Sequence, residues 1–186
     1  MKLLLTKQQR YVLEVLDKLG SLRMEQLTAL IRAKFCGEKP EVAPRLTEAM
    51  LRQLRFGNAD LRVDGEIISR PNARSDPLVH EAVSIMLELS GGAPLDFSAR
   101  QTPPVLLRFS TAGSRIALFA VLPADAFQSP PGRQPALSPT ERVILLGQGG
   151  DAPAALPIAN KCFLAVLQEN GAHRFFEVTA NRLKEE

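Results

Sequence analysis

The chain has no tryptophan and one tyrosine among its 186 residues. Sequence-tolerant binding of single-stranded nucleic acid relies on aromatic faces that stack on bases, so that class is disfavoured. Cysteine is equally scarce: Cys36 and Cys162 stand alone, and His80 and His173 are the only histidines. Neither Cys-x-x-Cys nor His-x-x-x-His occurs, which removes the usual zinc spacings and any disulfide framework. No apolar run approaches the ~20 residues of a bilayer span. The opening Met1–Leu5 is interrupted by Thr6, Lys7 and Arg10, short of the apolar stretch of a leader. A cytoplasmic protein with no membrane association is expected. Around Gly147-Gln148-Gly149-Gly150-Asp151 the sequence has neither G-x-G-x-x-G nor a Gly-Lys-Ser/Thr ending, and Gly-x-Ser-x-Gly is absent. Those absences leave no nucleotide loop and no nucleophile elbow, so no catalytic residue, metal or cofactor is assigned.

Apolar residues at 45% and charged residues at 23% are the balance of a chain that buries a core. Proline and charge are unevenly spread. Pro40 and Pro44 are the only prolines in the first 70 residues. Residues 1–75 hold 14 Lys/Arg against 9 Asp/Glu, and residues 76–186 hold 9 against 11. The polar stretch Arg70-Pro71-Asn72-Ala73-Arg74-Ser75-Asp76-Pro77 reads as a linker. Two domains are expected, 1–72 and 76–186.

Thr6-Lys7-Gln8-Gln9 has the form of a capping box. Val12, Val15, Leu16 and Leu19 then recur at helical spacing until Gly20. A second helix from about Met24 presents Leu27, Leu30, Ile31 and Phe35. Pro44 suits the first turn of a third, in which Leu46, Met50, Leu51 and Leu54 face inward. Arg45, Glu48, Arg52 and Arg55 share the opposite face. Asp64-Gly65 between two β-prone runs then predicts a hairpin.

Three helices and a two-stranded hairpin in this order resemble a winged helix-turn-helix domain over residues 5–70. The resemblance implies that the third helix enters the major groove of duplex DNA and the hairpin wing touches the backbone or minor groove. Arg45, Arg52 and Arg55 would then meet base edges or phosphates, with Thr47 and Gln53 beside them. Arg62 and Arg70 would be the wing's phosphate contacts. A plainer reading stands next to this one. Residues 41–70 hold five arginines against Glu41, Glu48, Asp60, Asp64 and Glu66, whereas a DNA-facing surface carries a positive surplus. The surplus sits earlier, eight Lys/Arg against four acids in residues 1–40. An Arg–Glu face is also an ordinary solvated surface, and Asp64 would repel a phosphate. The two readings part on whether Arg45, Arg52 and Arg55 are tied to carboxylates.

In the second half a helix is expected from Asp76-Pro77 to about Leu89. Strands are expected at Pro104–Ser110, Arg115–Leu122, Arg142–Leu146, Phe163–Gln168 and His173–Val178, the last two joined across Asn170-Gly171. Ser138-Pro139-Thr140-Glu141 also has capping-box form, but the β-branched run after it favours a strand. Pro123–Pro139 reads as a long loop, and Asp151–Lys161 as a short helix broken by Pro157. The expected fold class is α+β, a helix on a largely antiparallel sheet of about five strands. This succession is similar to replication-relaxation type proteins of plasmids and conjugative elements, whose second domain is related to restriction-endonuclease-like folds. Asp96 would be the first metal-binding acid there. The next strand, Arg115–Val121, lacks the acid-x-Lys element that holds a metal and activates water, so an inherited fold would be degenerate and inactive.

The expected function is that of a non-enzymatic, DNA-binding accessory or regulatory protein, of a kind found in mobile genetic elements. Its partner would be double-stranded DNA, with a protein partner or a second copy bound through the C-terminal domain. The alternative is a protein-protein interaction module with no nucleic-acid role.

Overall fold

The computed structural model describes residues 4–37, 39–57, 59–99, 102–127, 135–147, 160–179 and 182–185, the last stretch and Thr179 by backbone alone. It is an α+β chain of two compact units that divide at Ala93 and Pro94. Among the described residues no helix is long and apolar enough to cross a membrane.

The first unit begins with α1, Lys7–Leu19. The Thr6 hydroxyl accepts from Gln9 N at 3.2 Å and the Gln9 amide oxygen accepts from Thr6 N at 2.9 Å, which is the expected capping box. Gly20 closes the helix, its N–H donating to Leu16 O at 2.8 Å. A three-residue strand β1, Ser21–Arg23, leads into α2, Met24–Ile31. After α2 the chain widens into a π-helical turn over Arg32–Cys36 and tightens again at Pro40–Val42. Then follow α3, Ala43–Phe56, and the strands β2, Arg62–Asp64, and β3, Ile67–Ser69.

The small sheet is antiparallel in the order β1-β3-β2. β1 is too short to show a period in sequence, yet it closes the ribbon onto the helices through Leu22, which lies opposite Ile68. Asp64 is still in register with Ile67, so the turn is Gly65-Glu66, one residue later than an Asp-Gly centre. Gly65 has φ 57°, the positive value that primed hairpin turns require at their first central residue. The core is built from Val12, Val15 and Leu16 of α1, Leu27, Leu30 and Ile31 of α2, and Met50, Leu51 and Leu54 of α3, all buried. Each fully buried aliphatic side chain contributes about 1.5–3 kcal/mol.

The next helix, α4, Pro77–Ser90, starts on an Asp76 cap whose carboxylate accepts from Leu78 N at 2.9 Å. The expected boundary near residues 70–77 put this helix in the second half; the structure places it in the first unit. Hydrogen bonds between residues distant in sequence account for this. Gln26 of α2 donates to His80 O at 2.6 Å and to Ser84 Oγ at 3.0 Å, and Ser21 Oγ of β1 lies 3.0 Å from His80 Nε2. Val79, Ala82, Val83, Ile85 and Met86 are buried around these bonds.

The second unit is a seven-stranded sheet: β4, Asp96–Ala99; β5, Leu107–Thr111; β6, Ala117–Pro123; β7, Glu141–Gly147; β8, Cys162–Leu167; β9, His173–Thr179; and β10, Arg182–Glu185. Its order is β10-β9-β8-β7-β6-β5-β4. The expectation of a helix on a largely antiparallel sheet is corrected in two respects. Among the described residues this unit contains strands only, because its expected helix belongs to the first unit. The sheet is also mixed: β6, β7 and β8 run parallel, with antiparallel pairs on either side. The two connections within the parallel centre span residues 124–140 and 148–161, long enough for the crossover that parallel neighbours need. Much of both, including the Gly-rich stretch after Gly147 and most of Asp151–Lys161, lies outside the described residues. Ala120, Leu122, Val143, Leu145, Cys162 and Leu164 form one buried cluster on these central strands. Cys162 is packed in this cluster, and burial pushes its thiol up to about 12, so the thiolate is disfavoured at neutral pH.

Candidate nucleic-acid interface

The polar face of α3 follows from its period. Ala43, Thr47, Met50, Leu51 and Leu54 take the core side, and at 100° per residue Arg45, Glu48, Arg52 and Arg55 fall together on the other. All four are exposed. Among the described residues no ion pair or hydrogen bond engages Arg45, Arg52, Arg55 or the exposed Arg62 of β2. Glu48 sits four residues before Arg52, yet it forms no ion pair with it among those residues.

A cleft of about 570 Å³ lies beside this face, lined by Met24, Glu48, Leu51, Arg52, Arg55, Phe56 and Val63. It brings the last two turns of α3, the first residue of α2 and the middle of β2 together. Arg52 and Arg55 therefore share one concave site. Arg62 belongs to the adjacent strand, but strand side chains alternate, so with Val63 turned to the cleft Arg62 leaves from the opposite side of the ribbon.

Three other expected contacts have different surroundings. Thr47 is fully buried and its hydroxyl donates to Ala43 O at 2.8 Å; it is withdrawn from the contact set because it belongs to the core side of α3. Arg70 is bound within the unit. Its Nε donates to Asp17 Oδ1 at 2.7 Å, its Nη2 lies 2.6 Å from the same oxygen, and its Nη1 donates to Asp60 O at 2.8 Å. These bonds tie the base of the ribbon to α1, so Arg70 is a brace and not a free phosphate contact. Gln53 is exposed, with its amide oxygen accepting from Gln9 Nε2 at 2.9 Å; that bond still leaves its amide nitrogen to donate.

Phe56 was not among the expected contacts. It is 84% exposed at the end of α3. The signal was in the sequence: a phenylalanine two residues beyond Leu54 falls off the apolar stripe and toward the arginine face.

The basic surplus of residues 1–40 is partly engaged locally. Lys18 pairs with Glu14 at 3.2 Å, Arg23 with Glu25 at 3.6 Å, and Lys34 lies 5.0 Å above the Tyr11 ring. In the second unit Asp96 opens β4 opposite Ser110. Glu141, buried at the start of β7, accepts from Arg108 Nε at 2.9 Å and from Ser138 N at 2.7 Å. Its carboxylate thus serves the sheet. Among the described residues, no three His, Cys, Asp or Glu side chains gather as metal ligands. No family model, curated protein or solved structure matches the chain.

Proposed function

We propose that the first unit is a winged helix that binds double-stranded DNA, and that the protein is a non-enzymatic accessory or regulatory factor. The observation that carries this reading is the set of exposed guanidiniums on α3 that no carboxylate engages among the described residues. An arginine kept solvated and unpaired retains its fork for phosphate or a guanine edge. The element order supports the same reading: a helix, a short strand, two helices and a ribbon, with the short strand completing the small sheet. The second unit is read as a partner-binding or dimerising platform, and its acids are given no nuclease role.

Fluorescence anisotropy of labelled duplexes across a salt series tests the proposal. The wild-type protein is expected to bind with affinity that falls steeply with salt. Arg52→Ala with Arg55→Ala is expected to weaken binding and to flatten the plot of log K against log[salt] by about two. Unchanged anisotropy with every duplex at low salt would discard the proposal. A module that contacts protein alone is the second reading, and the solvent-facing Phe56 is the observation that favours it.

A further inference from the structure

The cleft beside α3 has an apolar floor and a charged rim. Leu51, Met24 and Val63 supply apolar lining, Phe56 stands almost fully in solvent, and Arg52 and Arg55 flank them against one acid, Glu48. The phosphate groups of a DNA backbone gain nothing from an apolar floor. The volume of about 570 Å³ is that of a small-molecule site, and such sites join apolar walls to a few polar groups. An exposed phenyl ring gains when another apolar surface displaces its water. Two guanidiniums without carboxylate partners among the described residues are suited to the oxygens of an acid group and also stack on flat rings. Charge and surface together select one ligand chemistry.

We propose that this cleft binds a small organic anion with a flat apolar body. The body lies against Leu51, Val63 and Phe56, and Arg52 and Arg55 hold the acid group. A neutral analogue forfeits the guanidinium contacts, and a cationic one is repelled by them. Arg52 and Arg55 also serve the proposed DNA surface, so an occupant competes with duplex; only this consequence rests on the DNA reading.

Calorimetric titration of the full chain with 2-naphthoate tests the site, with 2-naphthalenemethanol and 2-naphthylmethylamine as neutral and cationic controls. Saturable binding of one naphthoate per chain is expected, with both controls weaker by about tenfold or more. Phe56→Ala and Arg52→Gln with Arg55→Gln are each expected to weaken naphthoate by a similar factor. These side chains are exposed, and circular dichroism confirms that the variants fold. Three results overturn the proposal: no saturable heat with naphthoate into the millimolar range, equal binding of the neutral analogue, or unchanged affinity in the variants. Binding of an Asp/Glu-rich peptide with a single Phe, but not of naphthoate, also overturns it and identifies a protein partner. Naphthoate binding without duplex binding removes the DNA reading and leaves this site standing. Duplex binding without naphthoate binding does the reverse.

Discussion

Burial lowers the His80 pKa below its ordinary value, and the nearby Arg23 guanidinium lowers it further. The ring is buried between α4 and β1, with Nε2 3.0 Å from Ser21 Oγ. Its neutral form is therefore the one the fold accommodates. In the unfolded chain the same ring takes a proton near pH 6.5. As pH falls through that value the unfolded state gains a proton that the folded state resists, so stability decreases; above it the contribution is fully present. Urea midpoints measured downward from pH 7.5 are expected to start falling near pH 6.5, before the carboxylates titrate. In His80→Gln, which keeps a hydrogen-bonding side chain without the titration, that early fall is expected to disappear. An identical pH profile in the variant would show that His80 is not its source. Thr47 and Arg70 make a related point about single residues. Their types suit DNA, but their partners were fixed by burial and by Asp17, 53 residues from Arg70. No local pattern contains that information.

One ion pair ties the start of β7 to β5. Arg108 of β5 reaches past β6 to Glu141 at 2.9 Å and donates to Ala136 O at 2.6 Å. Glu141 is nearly buried, so removing its partner leaves a charge with poor access to water. Arg108→Ala is expected to cost about 3 kcal/mol in urea unfolding. Arg108→Lys is expected to recover only part, because an ammonium lacks the fork that reaches Glu141 and Ala136 together. A cost near zero for both would mean that the pair is idle. The same glutamate explains an ambiguity in the sequence. Ser138-Pro139-Thr140-Glu141 has capping-box form, and the carboxylate does accept from Ser138 N at 2.7 Å. The chain nevertheless turns into a strand, since Val143 and Ile144 pair on both sides with β6 and β8. The β5–β6 and β8–β9 hairpins were readable because short turn segments separate apolar runs. The parallel centre is legible in sequence only through the length of its two connections, the first of which reads as a Pro-rich loop and the second in part as a short helix broken by Pro157. α4 was recognised as a helix from its Asp76 cap but assigned to the wrong half, because the contacts that place it join Gln26 to residues 54 and 58 positions away. On α3 the arginine face followed from helical spacing alone, whereas the cleft needed β2 brought beside it.

The charge of the chain looks different once its two compact units are known. With the division placed near residue 75, the first part is strongly basic. With the division at Ala93, α4 adds Glu81 and Glu88, and Asp76 comes with it. The first unit then holds 14 Lys/Arg against 12 Asp/Glu and the second 9 against 8. Neither is a polycation, so a general attraction of one half for polyanions cannot carry the proposed DNA binding. What remains is local: arginines on one face of α3 whose guanidiniums no carboxylate engages among the described residues. Within about 10 Å, the Debye length near 0.1 M salt, a local cluster outweighs the net charge of the molecule. Two double variants with equal loss of charge separate the explanations. Arg45→Gln with Arg55→Gln is expected to weaken duplex binding and to reduce the salt slope by about two. Arg115→Gln with Arg142→Gln, both in the second unit, changes the net charge equally and is expected to leave affinity and slope unaltered. Equal losses in the two variants would mean that net charge governs binding, and the α3 face would lose its assignment.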